Sequence, residues 1–200
     1  MDERAEARAP LRRGIFAALL LIAALAFSGF IALGTWQVRR LAWKENLIAH
    51  VERQLHAVSV PAPAPADWAQ LSKADEYRRV RIRGRFAHEL ETPVQASTEL
   101  GSGYWVLTPL RTEEGFWVFV NRGFVPPELR ERSTRAANEG AGIVEVTGLL
   151  RLSEPGGRLL RRNDATGGRW YSRDVQAIAA ARALGGAQHP GAIAPYFIDA

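Results

Sequence analysis

Histidine is the first side chain to consider, because it can ligate a metal or transfer a proton near neutral pH. The chain has four histidines: His50, His56, His88 and His189. His50 and His56 are six residues apart, whereas side chains meet on one helix face at a spacing of three or four. His88-Glu89 begins a zinc-protease motif, but the second histidine is missing. The histidines therefore predict no metal centre.

Motifs for hydrolysis and nucleotide binding are also missing from the sequence. The chain has no cysteine, which excludes a disulfide framework, a thiol nucleophile and thiolate metal sites. There is no Gly-x-Ser-x-Gly elbow or phosphate-binding loop, and Gly101-Ser102-Gly103 lacks the third glycine of a dinucleotide motif. We therefore predict that the protein is not an enzyme. A membrane-anchored hydrolase is an alternative, and its nucleophile and base would have to meet in the fold.

The positive charge of the chain is concentrated near its start. Of the net charge of +5, residues 1–44 contribute +4 and residues 45–200 contribute +1. Cations beside an apolar segment are explained by membrane topology and anionic lipid. A nucleic-acid-binding protein would instead need a basic face on its folded domain. This distribution predicts a lipid bilayer, and no nucleic acid, as a partner.

The first structural element that the sequence predicts is an apolar segment. Residues 14–38 contain no charge and are long enough to cross a bilayer as a helix. Interfacial tryptophans and cations follow it, namely Trp36, Arg39, Arg40, Trp43 and Lys44. We predict a cytoplasmic tail over residues 1–13 and a transmembrane helix over residues 14–38. A cleaved signal peptide is the alternative, because Ala24-Leu25-Ala26 resembles a cleavage site.

The helix is expected to continue beyond the membrane to about residue 56. Leu47, Ile48, Val51 and Leu55 recur at the spacing of one helix face. Prolines at positions 61, 63 and 65 predict an extended Pro/Ala-rich linker over residues 57–70. Residues 71–200 then form an extracytoplasmic domain.

This domain is predicted to be mainly β-structure. Alternating patterns indicate strands over residues 77–86, 104–110, 116–120, 143–149 and 195–198, with a shorter strand over residues 90–94. Two short helices are expected, over residues 129–137 and 173–184, the second capped by Ser172. The predicted fold class is α+β, with a mainly antiparallel sheet that could close into a partly open barrel.

Seven motifs in order resemble the surfeit locus protein 1 family over about residues 33–200. They are Leu33-Gly34-Thr35-Trp36-Gln37 with Arg40 and Trp43-Lys44, Glu76-Tyr77-Arg78, Gly103-Tyr104, Val120-Asn121-Arg122-Gly123-Phe124-Val125-Pro126, Gly148-Leu149-Leu150-Arg151, Trp170-Tyr171 with Arg173-Asp174, and Phe197-Ile198-Asp199-Ala200. The resemblance implies a membrane protein that assists assembly of haem a-containing cytochrome c oxidase and acts as a chaperone of the respiratory chain.

The resemblance also implies partners and a location. The expected partners are oxidase subunit I and, as a second candidate, haem a synthase, with haem a held transiently for delivery to subunit I. The implied location is a bacterial inner membrane with a periplasmic domain, or the mitochondrial inner membrane in a eukaryote. A scaffold that never contacts haem is the alternative.

Candidate site residues follow from position and from this resemblance. Trp36, Gln37 and Arg40 at the membrane edge, with His50 and His56 beyond it, are the candidates for haem contact; Arg40 could pair with a propionate or with lipid headgroups. Asn121, Arg122, Gly123 and Trp170 are the candidates for partner contact, although 121–123 could simply form a turn.

The family is expected to have a second transmembrane helix soon after the Phe197-Ile198-Asp199-Ala200 segment, and the printed sequence stops there. Either the sequence is truncated or this member lacks that helix. A haem ligand on the second helix would lie outside the sequence.

Overall fold

A computed structural model describes residues 8–140, 142–158 and 160–200. The chain forms two compact units, which divide between Val51 and Glu52. The predicted cytoplasmic tail lies largely outside the described residues.

The first unit is built on one long helix, α1, which spans Arg8–Leu55. Its 48 residues correspond to a length of about 70 Å at 1.5 Å per residue. The part from Gly14 onward is the one helix among the described residues with the length and composition to cross a membrane. Its apolar side chains are exposed on the surface of the protein, as expected for a helix that faces lipid. The Thr35 hydroxyl donates to the Ile31 carbonyl at 2.7 Å, which satisfies this polar group inside the helix.

The second unit contains a sheet of seven strands. They are β1 (Val60–Pro61), β2 (Arg79–Phe86), β3 (Thr92–Thr98), β4 (Gly101–Thr112), β5 (Trp117–Val125), β6 (Val144–Leu152) and β7 (Ile193–Asp199). The strand order is β1-β2-β6-β7-β5-β4-β3. The β5–β7 and β1–β2 pairs are parallel, and all other strand pairs named here are antiparallel.

A further pairing closes this sheet into a barrel. The end of β2, at Gly84–Phe86, pairs with Leu110–Thr112 of β4. Strands β2, β6, β7, β5 and β4 therefore form a closed ring, and β3 continues the sheet beyond it. The structure confirms the predicted α+β class and shows a barrel that is closed rather than partly open.

The barrel has an interior core and an outer core. Alternate residues of all five barrel strands fill the interior, among them Val80, Leu110, Val118, Leu150 and Tyr196. The opposite face of β4, β5 and β7 packs against a short helix, α2 (Val175–Ala181), through residues such as Phe119, Ile178 and Phe197. This alternation is the period of two that the sequence carries.

The short helices and the linker differ from their predicted outlines. Helix α2 is capped by Asp174, which accepts from the Ala177 amide, rather than by Ser172. The segment predicted as the other helix forms three 3-10 turns, at Pro127–Leu129, Arg132–Thr134 and Ala136–Asn138. The linker is partly ordered on the barrel, because Trp68 Nε1 and the Tyr196 hydroxyl both donate to the Pro63 carbonyl.

Candidate functional site

Residues from several predicted motifs meet around the carboxylate of Asp199, near the end of β7. We call this group the Asp199 cluster; it consists of Glu76, Asn121, Arg151, Glu154, Arg173 and Asp199. Strand pairing creates it, because Asn121 on β5 and Leu149 on β6 both lie opposite Asp199. The cluster is the densest group of charges placed by the barrel.

Three side chains from different elements donate to Asp199. Asn121 Nδ2 lies 2.8 Å from Oδ1, Arg151 lies 3.2 Å from Oδ2, and Arg173 lies 3.5 Å from Oδ1. All four side chains are largely removed from solvent. Charge-assisted bonds of this kind are stronger than neutral ones, so Asp199 ties β5, β6 and β7 to the segment before α2.

Glu154 completes the charge balance of the cluster. Arg173 donates to both carboxylate oxygens of Glu154, at 2.5 and 3.1 Å. Burial opposes ionisation of Glu154, but the hydrogen bond and charge of Arg173 outweigh it and hold the pKa of Glu154 below its ordinary value. Burial likewise disfavours the charged form of Arg173, yet Glu154 and Asp199 raise the pKa of Arg173. The pair is therefore ionised at neutral pH.

Arg151 contacts the Glu76-Tyr77-Arg78 motif as well as Asp199. Its Nε lies 3.6 Å from Glu76, and its guanidinium lies 4.7 Å from the centre of the Tyr77 ring. Tyr77 adopts a φ of 65°, a conformation that few residues other than glycine adopt. Its amide donates to the Leu150 carbonyl at 2.8 Å, which fixes this turn against β6.

The residues of the 121–123 segment have separate positions. Asn121 is buried, and its Oδ1 accepts from the Gly123 amide at 3.2 Å. Gly123 has a φ of 107°, which favours glycine. Arg122 is exposed and faces away from the Asp199 cluster. Asn121 and Gly123 therefore set the backbone conformation of this segment, and the Arg122 side chain between them is exposed.

Arg122 contacts two rings on the opposite side of β5. Its guanidinium lies 5.3 Å from the centre of the Phe86 ring and donates to His88 Nδ1 at 3.1 Å. His88 is buried, and its Nε2 has no hydrogen-bond partner within the described chain. Since a guanidinium only donates, His88 Nδ1 is the acceptor in this contact.

Trp170 lies in the interior rather than on the surface. It is 4% exposed and belongs to the outer core with Phe119 and Ile178. Its carbonyl accepts from the Gln95 amide at 2.8 Å, so the segment before α2 lies along the free edge of β3. A role of Trp170 and Asn121 in partner binding stays a prediction, and direct contact would require both to leave buried positions.

The membrane-edge candidates lie together on α1. Arg40 is one helical turn from Trp36, with its guanidinium 5.3 Å from the centre of the indole ring. Both tryptophans of this region, Trp36 and Trp43, are exposed within the protein, as is Gln37. The helix thus presents an aromatic surface bearing a cation, which suits either lipid headgroups or a planar anionic ligand.

Two histidines, His50 and His56, lie near the C-terminal end of α1. The backbone of His50 is helical, and its side chain lies outside the described part of the chain. His56 is exposed, and its Nδ1 lies 2.9 Å from the Glu52 carbonyl. A carbonyl can only accept, so Nδ1 donates this hydrogen bond. Within the described residues, no group of three or more His, Cys, Asp or Glu could hold a metal ion.

The fold and site together define a five-stranded barrel protein that follows a candidate membrane-spanning helix and contains a partly buried charge cluster. A model of the SURF1 family matches residues 24–200. The chain belongs to the SURF1 family, which confirms the resemblance in the sequence.

Individual relatives agree with this assignment. The chain is 37% identical over 199 residues to Surfeit locus protein 1 of Homo sapiens, covering 91% of this chain and 61% of the relative. It is 36% identical over 199 residues to that of Takifugu rubripes, covering 91% and 76%. A SURF1-like protein of Drosophila melanogaster is 34% identical over 200 residues, covering 91% and 61%. The chain thus spans about three fifths of the length of the human relative.

Sequence reasoning did not connect the members of the Asp199 cluster. Arg151 and Asp199 are 48 residues apart, and Asn121 and Asp199 are 78 residues apart. The available signal was that each member of the cluster except Glu154 belongs to one of the seven motifs. Strand order, which brings these motifs together, could not be read from single motifs.

Proposed function

We propose that this protein is a membrane-anchored assembly factor for haem a-containing cytochrome c oxidase, assisting the delivery or insertion of haem a into subunit I. Membership of the SURF1 family over residues 24–200 carries this proposal. The candidate membrane-spanning helix supports it, because subunit I and haem a both reside in the bilayer. We assign no catalytic residue.

The end of α1 has one feature that fits haem iron. Histidine ligands usually donate their second ring proton to a carbonyl or carboxylate, which fixes the ring and directs the other nitrogen at the metal. His56 has the first part of this arrangement, since Nδ1 donates to the Glu52 carbonyl. His56, with His50 as a second candidate, would hold the iron of haem a transiently.

The membrane-edge residues, which belong to the first unit, form an alternative contact for haem a to the one at His56. Haem a is a planar apolar ring with anionic propionates, and Arg40 beside Trp36 offers a cation next to an aromatic face. Gln37 adds an exposed amide one residue from Trp36. We infer that these three residues bind the propionate side of the ligand near the membrane interface.

The proposed location is the inner membrane of a bacterium, or of a mitochondrion if the host is eukaryotic. The cations before the apolar segment favour a cytoplasmic N-terminus, so the barrel would lie in the periplasm. Oxidase subunit I is the proposed main partner, with haem a synthase as the source of haem a.

A visible absorption spectrum tests the proposal against a scaffold that never contacts haem. The full chain would be purified in mild detergent from cells that make haem a. We expect a stoichiometric haem a band that H56A and R40Q weaken, whereas H189A leaves it unchanged. A colourless protein, also after extension past Ala200, would contradict haem delivery and favour the scaffold.

A further inference from the structure

The loop over residues 156–163 presents an exposed leucine at its tip. Leu160 is 97% exposed, the highest value among the large apolar residues of the described chain. It adopts a φ of 64°, which is costly for a residue with a side chain. An exposed apolar residue in a strained conformation points to function when the surrounding structure enforces it.

Hydrogen bonds connect described residues of this loop with one another and with Ser172. The amides of Arg158 and Arg161 each donate to the carbonyl of the other, at 2.8 and 2.9 Å, which forms a tight hairpin turn. At its base, the Ser172 hydroxyl accepts from the Gly157 amide and from Asn163 Nδ2, both at 3.0 Å.

Arginines surround the tip without opposing carboxylates. The sequence from position 158 is Arg158-Leu159-Leu160-Arg161-Arg162. Arg161 contacts Gln95 and the Tyr171 ring. No ion pair involves Arg158, Arg161 or Arg162 within the described chain, although residues 45–200 as a whole carry a net charge of only +1.

Two cavities adjoin the loop along the free edge of β3. One of about 350 Å³ is lined by Gln95, Ser97, Trp105, Arg158 and Tyr171, among others. A second of about 220 Å³ shares Gln95 and Tyr171 with it. Arg130 lines this second cavity, where its guanidinium lies 5.2 Å from the centre of the Tyr104 ring and its Nε has no hydrogen-bond partner in the described chain. Arginines and aromatic side chains line both cavities, together with Glu154 in the first.

We propose that this surface, comprising the 156–163 loop and the two cavities, docks an acidic segment of cytochrome c oxidase, with Leu160 entering an apolar pocket. This inference rests on the proposed function, which supplies the partner. Charge complementarity selects an acidic segment, because unpaired arginines ring the tip. One leucine offers little area for bilayer insertion, which favours a protein over a lipid surface as the occupant.

Co-purification tests the proposal with the full chain. An affinity-tagged chain would be co-expressed with oxidase subunit I, and the subunit recovered per chain would be measured. We expect L160G to reduce recovery about tenfold, as loss of a central apolar anchor does. Glycine tolerates the φ of Leu160, so this variant should fold at least as well as the parent. The matched control is L100G, which removes another exposed leucine, beside Glu99.

Charge variants test the arginines separately. R158Q/R162Q should reduce recovery about tenfold and weaken its dependence on salt, whereas R83Q/R85Q, on the exposed face of β2, should bind like the parent. If the parent recovers subunit I and all variants match it, the docking surface is wrong while the proposed function stands. If the parent recovers no subunit I, the proposed partner fails, and this inference fails with it.

A cysteine label separates a lipid from a protein as the occupant. The chain has no cysteine, so L160C gives a single site for an environment-sensitive fluorophore, with L100C as its control. We expect the label at position 160 to become protected only when subunit I is present. Protection in nanodiscs that contain phosphatidylglycerol but no subunit I would overturn the proposal in favour of a lipid contact.

Discussion

At the scale of single residues, Asp199 organises the polar part of the barrel. Its carboxylate accepts from Asn121, Arg151 and Arg173, which come from three separate elements. Because these groups are largely removed from water, each must be paired to avoid the cost of desolvation. The cluster is therefore a structural lock in which every charge depends on the others.

Removing the charge of Asp199 should weaken this lock. In D199N the two arginines lose an anionic partner, and we expect the free energy of unfolding to fall by about 1–3 kcal/mol. Thermal unfolding of the full chain in detergent measures the change. E99Q, which alters an exposed carboxylate on the β3–β4 turn, is the control, and an equal effect in both variants would contradict the role of Asp199.

The Glu154–Arg173 pair predicts a dependence of stability on pH. The pKa of Glu154 is lowered from its ordinary value of 4.5, so its stabilising contribution is present above about pH 4.5 and is lost as the pH falls through the folded-state pKa. We expect E154Q to be less stable than the parent at pH 7 and the difference to shrink below pH 4.5. A difference that stays constant down to pH 3, or one that E128Q reproduces, would exclude this pair as its source.

At the scale of elements, the closure of the barrel is set where β2 meets β4. Gly84 is buried in this pairing, and a Cβ at its position would overlap the Arg111 carbonyl and the Leu110 side chain. Gly148 stands in the same relation to the Asp199 carbonyl. Both glycines allow neighbouring backbones to approach closely.

A side chain at Gly84 should therefore disturb the closure. We expect G84A to destabilise the barrel by about 1–3 kcal/mol, because the overlapping atom belongs to backbone that cannot move freely. Chemical denaturation followed by tryptophan fluorescence measures this, since Trp117 lies in the outer core. G140A, at a glycine with open space around it, should be neutral, and neutrality of G84A would show that the strands can separate without cost.

The elements were largely predictable, and their arrangement was not. Alternation of apolar and polar residues identified β2 and the β4–β5 hairpin because each strand has a buried face. The parallel pairing of β5 with β7 and the pairing of β2 with β4 involve residues far apart in sequence, so no local pattern encodes them. The 127–138 segment forms 3-10 turns rather than one helix, since its Arg135 binds Glu91 and the Leu129 carbonyl instead of continuing a helix face.

The candidate site, too, was predictable only in part. Trp36 and Arg40 were predictable as neighbours from their spacing of one helical turn. The Asp199 cluster, the pairing of Arg122 with His88 and the exposed tip at Leu160 were not, because each depends on tertiary contacts or on a backbone conformation that leucine rarely adopts.

At the scale of the whole molecule, α1 is expected to anchor the protein in a membrane. Its apolar residues are exposed within the protein, so lipid is their natural environment. An arginine in the middle of the span, as in L25R, should disfavour insertion by about 2.5–3.5 kcal/mol. We expect carbonate extraction to release L25R from membranes but not V58R, which places the same charge at an exposed position after α1. Equal retention of both variants would contradict membrane anchoring by α1.

The function proposed for this protein is to support assembly of haem a-containing cytochrome c oxidase. The most direct measurement is the amount of spectroscopically intact oxidase in membranes of a bacterium that lacks its own SURF1 protein and expresses this chain. We predict that the chain restores haem a absorbance and oxidase activity and that L25R does not. Oxidase that stays at the level of the deficient strain, while the folded chain is present in the membrane, would contradict the account.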